Sequence, residues 1–397
     1  MHLKTYYLLI IILKIIILNF EKYKCFLLKK KDPIIFDLIE NRKNKFNNIR
    51  KLIIKDKCNS DVVIDNILKF SENENYIQKK LNELKKYRIT TYSSKYTFFF
   101  PGQGEQYLSM GLDTYNNHKE SKEIYERASK ILGYNLMEVI KNGPIEKLTD
   151  SEIAQPAIYT VSMAAYEKLK NENYDIVQKL NLCMGYSLGE YSALACSGAL
   201  SFEEGVYLTK ERGKAMQNCA KLHNMSTIAI VGLTIDNIYK LIDEVNKQMN
   251  DDIFIVSYMT EKKFGLCGKP ETMEYLNKLA KEKYKALFTK KIQISGAFHS
   301  SYMFPAKKSL ENILKQIQLK KLHVPIISNV DGCAYNDPSI IKDLLLLQLT
   351  SPIKINECLE NVLKNGYEIG YELGPGTINT NLLRDVSKKK KTATPYI

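Results

Sequence analysis

A serine in a glycine-rich turn is the strongest chemical signal in the sequence. Residues 185–189 read Gly-Tyr-Ser-Leu-Gly, which matches the pattern G-x-S-x-G around Ser187. An apolar run at 182–184, which predicts a strand, precedes the turn, and a helical pattern follows it. In such a turn the serine hydroxyl is exposed at the carboxyl end of a sheet, and the next N–H group, that of Leu188, can stabilise an oxyanion. A glycine-rich turn with an inert serine is the alternative interpretation.

A serine needs a base before it can act as a nucleophile. The sequence offers five histidines: His2, His118, His223, His299 and His323. Among them His299 has the most site-like setting, because it lies in the small-residue run Ser-Gly-Ala-Phe-His-Ser-Ser (295–301) directly after a predicted strand. Another segment of the chain can approach closely there. We therefore predict that His299 is the general base of Ser187, and an ordinary hydrogen-bonded histidine is the alternative.

The composition favours a globular protein and excludes several other classes. The chain has 397 residues, of which 45% are hydrophobic and 26% are charged, so a disordered protein is excluded. Its 8 cysteines form no CxxC pair, which predicts free thiols rather than a zinc site or a disulfide scaffold. The net charge of +14 comes mainly from residues 1–95, with 21 Lys and Arg against 10 Asp and Glu; the remaining chain has 37 against 34. The charge therefore gives no support to a nucleic-acid partner.

The first 95 residues predict a two-part targeting leader. Residues 1–20 contain an apolar run that is shorter than a bilayer span, which favours a cleaved secretory signal over an uncleaved anchor in which Lys14 reaches the interface. Residues 21–95 are rich in Lys, Asn and Ile and predict a transit peptide. A signal followed by such a stretch resembles leaders that route proteins to a plastid-type organelle, the apicoplast. After removal of the leader, we expect the protein to have no stable membrane association. A mitochondrial destination, or an extension with no targeting role, is the alternative.

From residue 96 onward, short apolar runs alternate with helical patterns, which predicts an α/β fold. We expect this domain to span 96–386 and a solvated basic tail to follow at 387–397. The expected strands of the main sheet are 95–100, 182–184, 324–330 and 367–373. The expected helices include 118–132 and 156–170, the second starting at Pro156 because proline suits a first helical turn.

A second pattern interrupts the first between about residues 222 and 294. Four strand-like runs and two helical segments follow one another there in the order βαββαβ. This order is typical of a ferredoxin-like fold. We therefore predict a smaller, inserted subdomain in this range.

Six motifs occur in the order seen in malonyl-coenzyme A:acyl carrier protein transacylases. They are FFPGQG at 99–104, GYSLGEYS at 185–192, ERGKAMQ at 211–217, GAFH at 296–299, SNVD at 328–331 and ELGPG at 372–376. The sequence resembles this family over about residues 96–386. The resemblance implies an α/β-hydrolase-like larger subdomain with a ferredoxin-like smaller one inserted. It also implies transfer of malonyl from malonyl-coenzyme A to the phosphopantetheine thiol of acyl carrier protein, through a malonyl-serine intermediate. This transfer supplies fatty acid synthesis.

The resemblance also assigns roles to individual residues. It makes Ser187 the acyl acceptor and His299 its base, with the backbone N–H groups of Gln103 and Leu188 as the oxyanion hole. It makes Arg212 the group that binds the free malonyl carboxylate, since a guanidinium can donate two parallel charge-assisted hydrogen bonds to it. Taken alone, Arg212 would be read as part of a charged helix face.

Two further residues are implied to orient the catalytic histidine. The backbone carbonyl of Gln348 is expected to hold His299, and Asn329 matches another site residue of the family. Without the resemblance, Gln348 would be an ordinary helix residue and Asn329 part of a turn at a strand end. The implied reaction requires no metal and no bound cofactor, and the family implies a monomer.

The sequence departs from the family pattern at three places. Tyr186 replaces the usual histidine before the nucleophile, Glu105 replaces the serine after PGQG, and residues 259–263 replace an Asn-Ser-Pro-Gly-Gln stretch. Acyl-group specificity is therefore less well defined by the sequence than the type of reaction. Two other functions stay open at this point: a serine esterase or hydrolase that uses the same Ser–His pair, and an inactive scaffold that binds carrier protein.

Overall fold

The computed structural model describes residues 77–292, 296–387 and 391–397. All of them belong to one compact unit, Asn73–Ile397. The predicted signal and most of the predicted transit peptide lie outside the described residues. Within these ranges, the helices are all too short or too polar to cross a bilayer.

The elements alternate along the chain as an α/β fold requires. The strands are β1 (Tyr96–Phe100), β2 (Leu182–Gly185), β3 (Ser226–Val231), β4 (Phe254–Thr260), β5 (Lys263–Gly268), β6 (Phe288–Ile292), β7 (Ile326–Ile327), β8 (Ala334–Tyr335), β9 (Ile353–Lys354), β10 (Ile369–Leu373) and β11 (Thr394–Tyr396). The helices are α1 (Leu112–Asn117), α2 (Lys119–Leu132), α3 (Leu136–Asn142), α4 (Ile145–Thr149), α5 (Ser151–Glu172), α6 (Tyr174–Gln178), α7 (Gly189–Cys196), α8 (Phe202–Leu222), α9 (Ile235–Met249), α10 (Pro270–Glu282), α11 (Phe304–Leu314), α12 (Pro338–Thr350), α13 (Ile355–Lys364) and α14 (Ile378–Val386).

The larger sheet has six strands in the order β11-β10-β1-β2-β7-β8. Its pairings are parallel except that of β7 with β8. The four strands predicted for this sheet are confirmed, although β7 is much shorter than the apolar run that predicted it. Their buried apolar side chains form the main core together with those of α5, α7, α8 and α12. This sheet and its helices correspond to the larger α/β subdomain predicted above.

The smaller sheet has the strand order β6-β3-β5-β4-β9. Its first four strands come from the predicted insertion, pair antiparallel with one another and have the order of a ferredoxin-like sheet. One face packs against α9 and α10 around Ile230, Leu241 and Leu276. The predicted βαββαβ order is confirmed. The larger subdomain adds β9 as a parallel edge strand beside β4.

The helix predicted from Pro156 begins five residues earlier, at Ser151. The carbonyl oxygen of Asp150 accepts hydrogen bonds from the N–H groups of Ile153 and Ala154, and these bonds start the first turn. Pro156 therefore lies inside α5, where its ring removes one backbone hydrogen bond. The surrounding residues of α5 are almost entirely buried, so packing stabilises the helix in spite of that loss.

The predicted solvated tail at 387–397 is wrong for its last residues. Thr394–Tyr396 form β11 and pair in parallel with β10. The hydroxyl of Tyr367 also donates to the carbonyl oxygen of Thr392 at 2.8 Å. The apolar end of the segment completes the sheet, whereas the charge pattern had suggested only solvated lysines.

The boundary predicted between residues 95 and 96 lies inside the folded unit. Residues 77–84 are helical, and Leu84 is 3% exposed within the main core. Ile89 donates its N–H to the carbonyl oxygen of Ala334 at 2.9 Å, and Ser94 is fully buried. The lysine-rich composition of this stretch did not indicate that a few of its side chains are buried in the folded unit.

A chain that starts at Tyr96 should therefore be less stable than one that starts at Asn73. Loss of the buried Leu84 side chain alone should lower the free energy of unfolding by about 2–5 kcal/mol. Urea unfolding of residues 73–397 and 96–397, followed by circular dichroism, measures the difference. Equal midpoints and slopes for the two chains would show that residues 73–95 do not contribute to the fold.

Candidate active site

The tight turn around Ser187 requires glycine at positions 185 and 189. Strand β2 ends at Gly185 and helix α7 begins at Gly189. A Cβ on Gly185 would lie 1.9 Å from the carbonyl carbon of Gly189, and one on Gly189 would lie 2.2 Å from the carbonyl oxygen of Phe100. Ser187 itself has a φ of 50°, in the left-handed region that non-glycine residues rarely adopt. The strand and helix are thus packed too closely for larger residues, and the tight turn holds the serine in a strained conformation.

The structure brings Ser187 and His299 together across 112 positions of sequence. The Oγ of Ser187 lies 2.8 Å from Nε2 of His299. Nδ1 of the same ring lies 2.8 Å from the backbone carbonyl oxygen of Gln348, which can only accept. Nδ1 therefore carries the proton, and Nε2 is left as an acceptor for the serine hydroxyl. This is the tautomer that a general base needs.

The loop after β1 lies beside the serine turn because of the register of the sheet. Phe100 pairs with Gly185 in parallel strands, so both strands end at the same edge. The side chain of Gln103 is held by Ser151, to which it donates at 2.9 Å, and by Gln155, from which it accepts at 3.2 Å. No acceptor within the described residues takes the backbone N–H of Gln103 or of Leu188. Both donors are available to a ligand, as an oxyanion hole requires.

Arg212 of α8 is buried against the serine without an ion pair. It is 1% exposed, and its guanidinium donates to Ser187 Oγ at 3.1 Å, Gln348 Oε1 at 3.0 Å and Gln155 Oε1 at 2.7 Å. These partners are neutral, and none of the ion pairs among the described residues includes Arg212. Burial lowers the pKa of Arg212, while Tyr191 and Glu190 act in the opposite direction. A buried cation in such surroundings is a strong receptor for an anionic ligand.

Asn329 holds the serine turn rather than the histidine. Its Oδ1 accepts the backbone N–H of Ser187 at 2.6 Å, and its Nδ2 donates to the carbonyl oxygen of Gly185 at 2.8 Å. None of its hydrogen bonds within the described chain reaches His299, so the orienting role predicted for it is corrected. The reason is topological: β7 lies next to β2, which places the residues after β7 against the turn after β2.

A buried carboxylate, Glu190, completes the polar network behind the serine. It accepts hydrogen bonds from the backbone N–H of Asn329 and from the side-chain amide of Gln348. That amide also donates to the carbonyl oxygen of Ser187 at 3.0 Å. Burial raises the pKa of Glu190 to about 8, although the N–H of Asn329 and the charge of Arg212 favour the ionised form.

A small cavity of about 60 Å³ opens onto these groups. Its lining includes the catalytic candidates Gln103, Ser187, Arg212 and His299 and, from the smaller subdomain, Thr227, Val256, Ser257, Met259, Gly265 and Ile292. The described residues contain no cluster of His, Cys, Asp or Glu that could hold a metal ion.

The departures from the family pattern have different positions around this cavity. Tyr186 lines it, and its hydroxyl lies 2.8 Å from the Oγ of Ser257. Met259 also lines it, at the end of β4. Glu105 does not line it: its carboxylate accepts the backbone N–H of Thr377 at 2.9 Å. Two of the three departures therefore alter the acyl pocket itself.

Reasoning from the sequence missed Gln155, Glu190 and Ser257 as site residues. Gln155 lies in α5, where only its polarity in an otherwise buried helix could have drawn attention to it. Glu190 stands directly after G-x-S-x-G, and a carboxylate one residue into a helix has an ordinary explanation in the helix dipole. Ser257 carried no signal, because a serine in an alternating strand is common.

The environment of His299 predicts an unusual pH dependence. Burial, and after it the charge of Arg212, lowers the pKa of His299 from 6.5 to about 3, while its hydrogen bond to Gln348 opposes the shift. The imidazole of His299 therefore stays neutral in the unliganded protein at these pH values. With His299 as the predicted base, the second-order rate constant for acylation of Ser187 should not decrease with an apparent pKa of 6.5 between pH 7 and pH 5. Rapid-quench measurement of acylation across this range tests the expectation, and a clear loss centred near pH 6.5 would contradict it.

The lowered pKa of His299 also determines how this residue affects the free energy of unfolding as the pH changes. Below about pH 6.5 the unfolded chain binds a proton at this histidine that the folded chain does not bind. The contribution of His299 to the free energy of unfolding is therefore complete above pH 6.5 and falls as the pH is lowered toward 3.

The site combines a strained serine with a neutral imidazole that can take its proton, and a buried cation lies beside both. These features define a serine acyl-transfer site on an α/β scaffold. Comparison with known proteins agrees with this class, since residues 97–396 match the family model described as acyl transferase domain. The chain is 32% identical over 299 residues to a malonyl CoA-acyl carrier protein transacylase of Bacillus subtilis, covering 75% of this chain and 92% of that protein. By its family match and this identity, the chain belongs to the malonyl CoA-acyl carrier protein transacylase family.

Two other similar proteins extend the comparison. A human protein named malonyl-CoA-acyl carrier protein transacylase, mitochondrial, is 31% identical over 287 residues, covering 70% of this chain and 73% of that one. The crystal structure of a malonyl CoA-acyl carrier protein transacylase from Clostridium perfringens superposes with a TM-score of 0.69 at 32% identity, covering 76% of this chain and 92% of that one. The predicted fold class is confirmed by this structural likeness.

Proposed function

We propose that this chain transfers a malonyl group from malonyl-coenzyme A to the phosphopantetheine thiol of acyl carrier protein, through an ester on Ser187. The observation that carries the proposal is Arg212, a buried guanidinium without an ion pair that lies 3.1 Å from the nucleophile. A malonyl group has a free carboxylate of the kind that a guanidinium binds, whereas acetyl and the ordinary fatty acyl groups have none. The names of the relatives, all with the same reaction, support the same conclusion.

The first half-reaction forms the acyl-enzyme. The Oγ of Ser187 attacks the thioester carbon while its proton passes to Nε2 of His299. The carbonyl oxygen becomes an oxyanion that the N–H groups of Gln103 and Leu188 hold. The carbon–sulfur bond then breaks, and the coenzyme A sulfur takes the proton from the imidazolium. The malonyl ester of Ser187 remains.

The second half-reaction uses the same groups in reverse. The thiol of phosphopantetheine gives its proton to His299 and attacks the ester carbon. When the carbon–oxygen bond breaks, Ser187 recovers its proton from the imidazolium. Throughout, Arg212 holds the malonyl carboxylate and so keeps the acyl carbon in register with the serine. These proton transfers and the charge stabilisation are all supplied by side chains and backbone of this chain, so the proposed reaction needs no metal and no bound cofactor.

The fate of labelled malonyl separates transfer from hydrolysis. Radiolabelled malonyl-coenzyme A is incubated with the enzyme and carrier protein that bears phosphopantetheine, and protein-bound label is counted against free malonate. We expect label on the carrier protein at a rate far above that of malonate release. Carrier protein without phosphopantetheine is the matched control and should stay unlabelled. Label released mainly as malonate would identify an esterase or hydrolase, and no consumption of malonyl-coenzyme A would identify an inactive scaffold.

We further propose that the enzyme works as a monomer, as the family resemblance implies.

We also propose that it works in an organelle and that this organelle is plastid-type. The mitochondrial relative supports an organellar location in general, and the signal-like segment followed by a basic stretch supports the plastid-type route. A mitochondrial location is the alternative. Fusion of residues 1–76 to a fluorescent protein, expressed in the cell of origin, tests the choice between the two organelles.

A further inference from the structure

An ion pair at the N-terminal edge of the folded unit connects to the serine turn. Arg88 lies ahead of residues 97–396, the range matched by the acyl transferase family. Its Nη2 and Nε donate to the same oxygen of Asp331, Oδ2, at 2.7 and 3.0 Å. The Asp331 side chain is 5% exposed, so the pair is largely shielded from water on the side of Asp331.

Asp331 in turn closes the turn that follows β7. Its Oδ1 accepts the N–H of Cys333 at 3.1 Å, and its Oδ2 accepts the hydroxyl of Tyr335 at 2.7 Å. The N–H of Ser328 donates to the carbonyl oxygen of Cys333 at 3.0 Å, so residues 328–333 form a closed turn. Gly332 has a φ of 68°, and a Cβ there would lie 2.7 Å from the Cβ of Glu357. The turn therefore has little freedom to reposition by small adjustments.

The same turn carries Asn329, whose side chain binds the backbone of the serine and of the residue two positions before it. As described above, Asn329 accepts from the N–H of Ser187 and donates to the carbonyl oxygen of Gly185. Arg88 is thus linked to Ser187 through the closed turn 328–333, because Arg88 binds Asp331 at one end of the turn and Asn329, near the other end, binds Ser187. A displacement of the turn would alter the strained backbone that aims the serine hydroxyl at His299.

We propose that Arg88 is a positioning residue for acyl transfer and that it acts through Asp331 and Asn329 on the conformation of Ser187. The proposal rests on the function proposed for this site. It also assigns Arg88 to the working enzyme, because removal of the leader beyond this residue would leave Asp331 buried without its cation.

The test compares Arg88→Ala with an equivalent arginine elsewhere. Arg127→Ala is the matched control, because Arg127 forms an exposed ion pair with Glu203 in the larger subdomain. We expect Arg88→Ala to lower kcat between about tenfold and a hundredfold with little change in KM for malonyl-coenzyme A. Arg88→Lys should recover part of the loss, and Arg127→Ala should be close to the parent enzyme. Thermal unfolding establishes that each variant is folded at the assay temperature.

A second readout does not depend on the malonyl substrate. Phenylmethylsulfonyl fluoride sulfonylates serines that are activated by a base, and its rate of reaction with Ser187 reports the Ser–His geometry alone. We expect Arg88→Ala to slow this reaction by about the same factor as kcat. If Arg88→Ala does not fold, Tyr335→Phe takes its place, since it removes one hydrogen bond from Asp331; a smaller loss in the same direction is then expected.

The outcomes separate this proposal from the function on which it rests. A folded Arg88→Ala, or the substitute Tyr335→Phe, that reacts with the reagent at the parental rate overturns the positioning role. A loss of kcat without a loss of sulfonylation rate also overturns it. If the parent enzyme reacts with the reagent but transfers no malonyl, the slowed reaction of Arg88→Ala still supports the positioning role while the proposed function fails.

Discussion

Replacement of Ser187 by alanine is expected to lower malonyl transfer by about 10⁴- to 10⁶-fold, the range found when one member of a cooperating catalytic unit is removed. The hydroxyl is the attacking atom in the first half-reaction and the leaving group in the second. It is also the shared partner of His299 at 2.8 Å and Arg212 at 3.1 Å. Without it, those two groups have no covalent step to assist.

Ser192→Ala is the matched control for this experiment. Ser192 lies in α7, five residues after the nucleophile, and is also buried. Its hydroxyl has no hydrogen-bond partner in the described part of the chain, so its loss should change transfer only slightly. Steady-state transfer to carrier protein measures both variants. Ordinary malonyl transfer by Ser187→Ala would end the proposed mechanism.

Replacement of Arg212 by alanine is expected to impair malonyl transfer selectively. Loss of one partner of a buried charged pair costs about 2–5 kcal/mol, and the malonyl carboxylate is the partner that would be left unpaired. Acetyl has no such carboxylate, so transfer from acetyl-coenzyme A should suffer much less. The measurement is kcat/KM for both substrates in the parent enzyme and the variant.

Arg212→Lys refines the same test. A lysine keeps the charge and loses the planar fork that donates two parallel hydrogen bonds, so its malonyl activity should fall between those of the parent and the alanine variant. Equal losses for malonyl and acetyl in Arg212→Ala would show that Arg212 supports the serine or the fold and does not bind the substrate carboxylate.

The parts of the site that lie close together in sequence were predictable from local chemistry. The glycines of the serine turn follow from the close approach of β2 and α7, and that pattern identified Ser187 without a structure. His299 followed from its run of small residues and from the poor settings of the other histidines. The order of elements also predicted four strands of each sheet, because strand and helix patterns are properties of short segments. The short strands β8 and β9 were not predicted.

The parts that depend on tertiary contacts were not predictable in this way. Gln348 lies 161 positions from Ser187, and only the family resemblance drew attention to it. Gln155 and Glu190 were missed, and Asn329 was assigned to the wrong partner, because the register of β7 beside β2 decides what it contacts. Composition was misleading at the N-terminus, where a lysine-rich stretch contains the buried Leu84, and at the C-terminus, where β11 pairs with β10.

The most direct measurement is mass spectrometry of the enzyme after incubation with malonyl-coenzyme A in the absence of carrier protein. A stable malonyl ester should form on the peptide that contains Ser187, and it should disappear when carrier protein with a phosphopantetheine thiol is added. No adduct, or an adduct on a different residue, would contradict the central claim that this serine carries the acyl group between the two thiols.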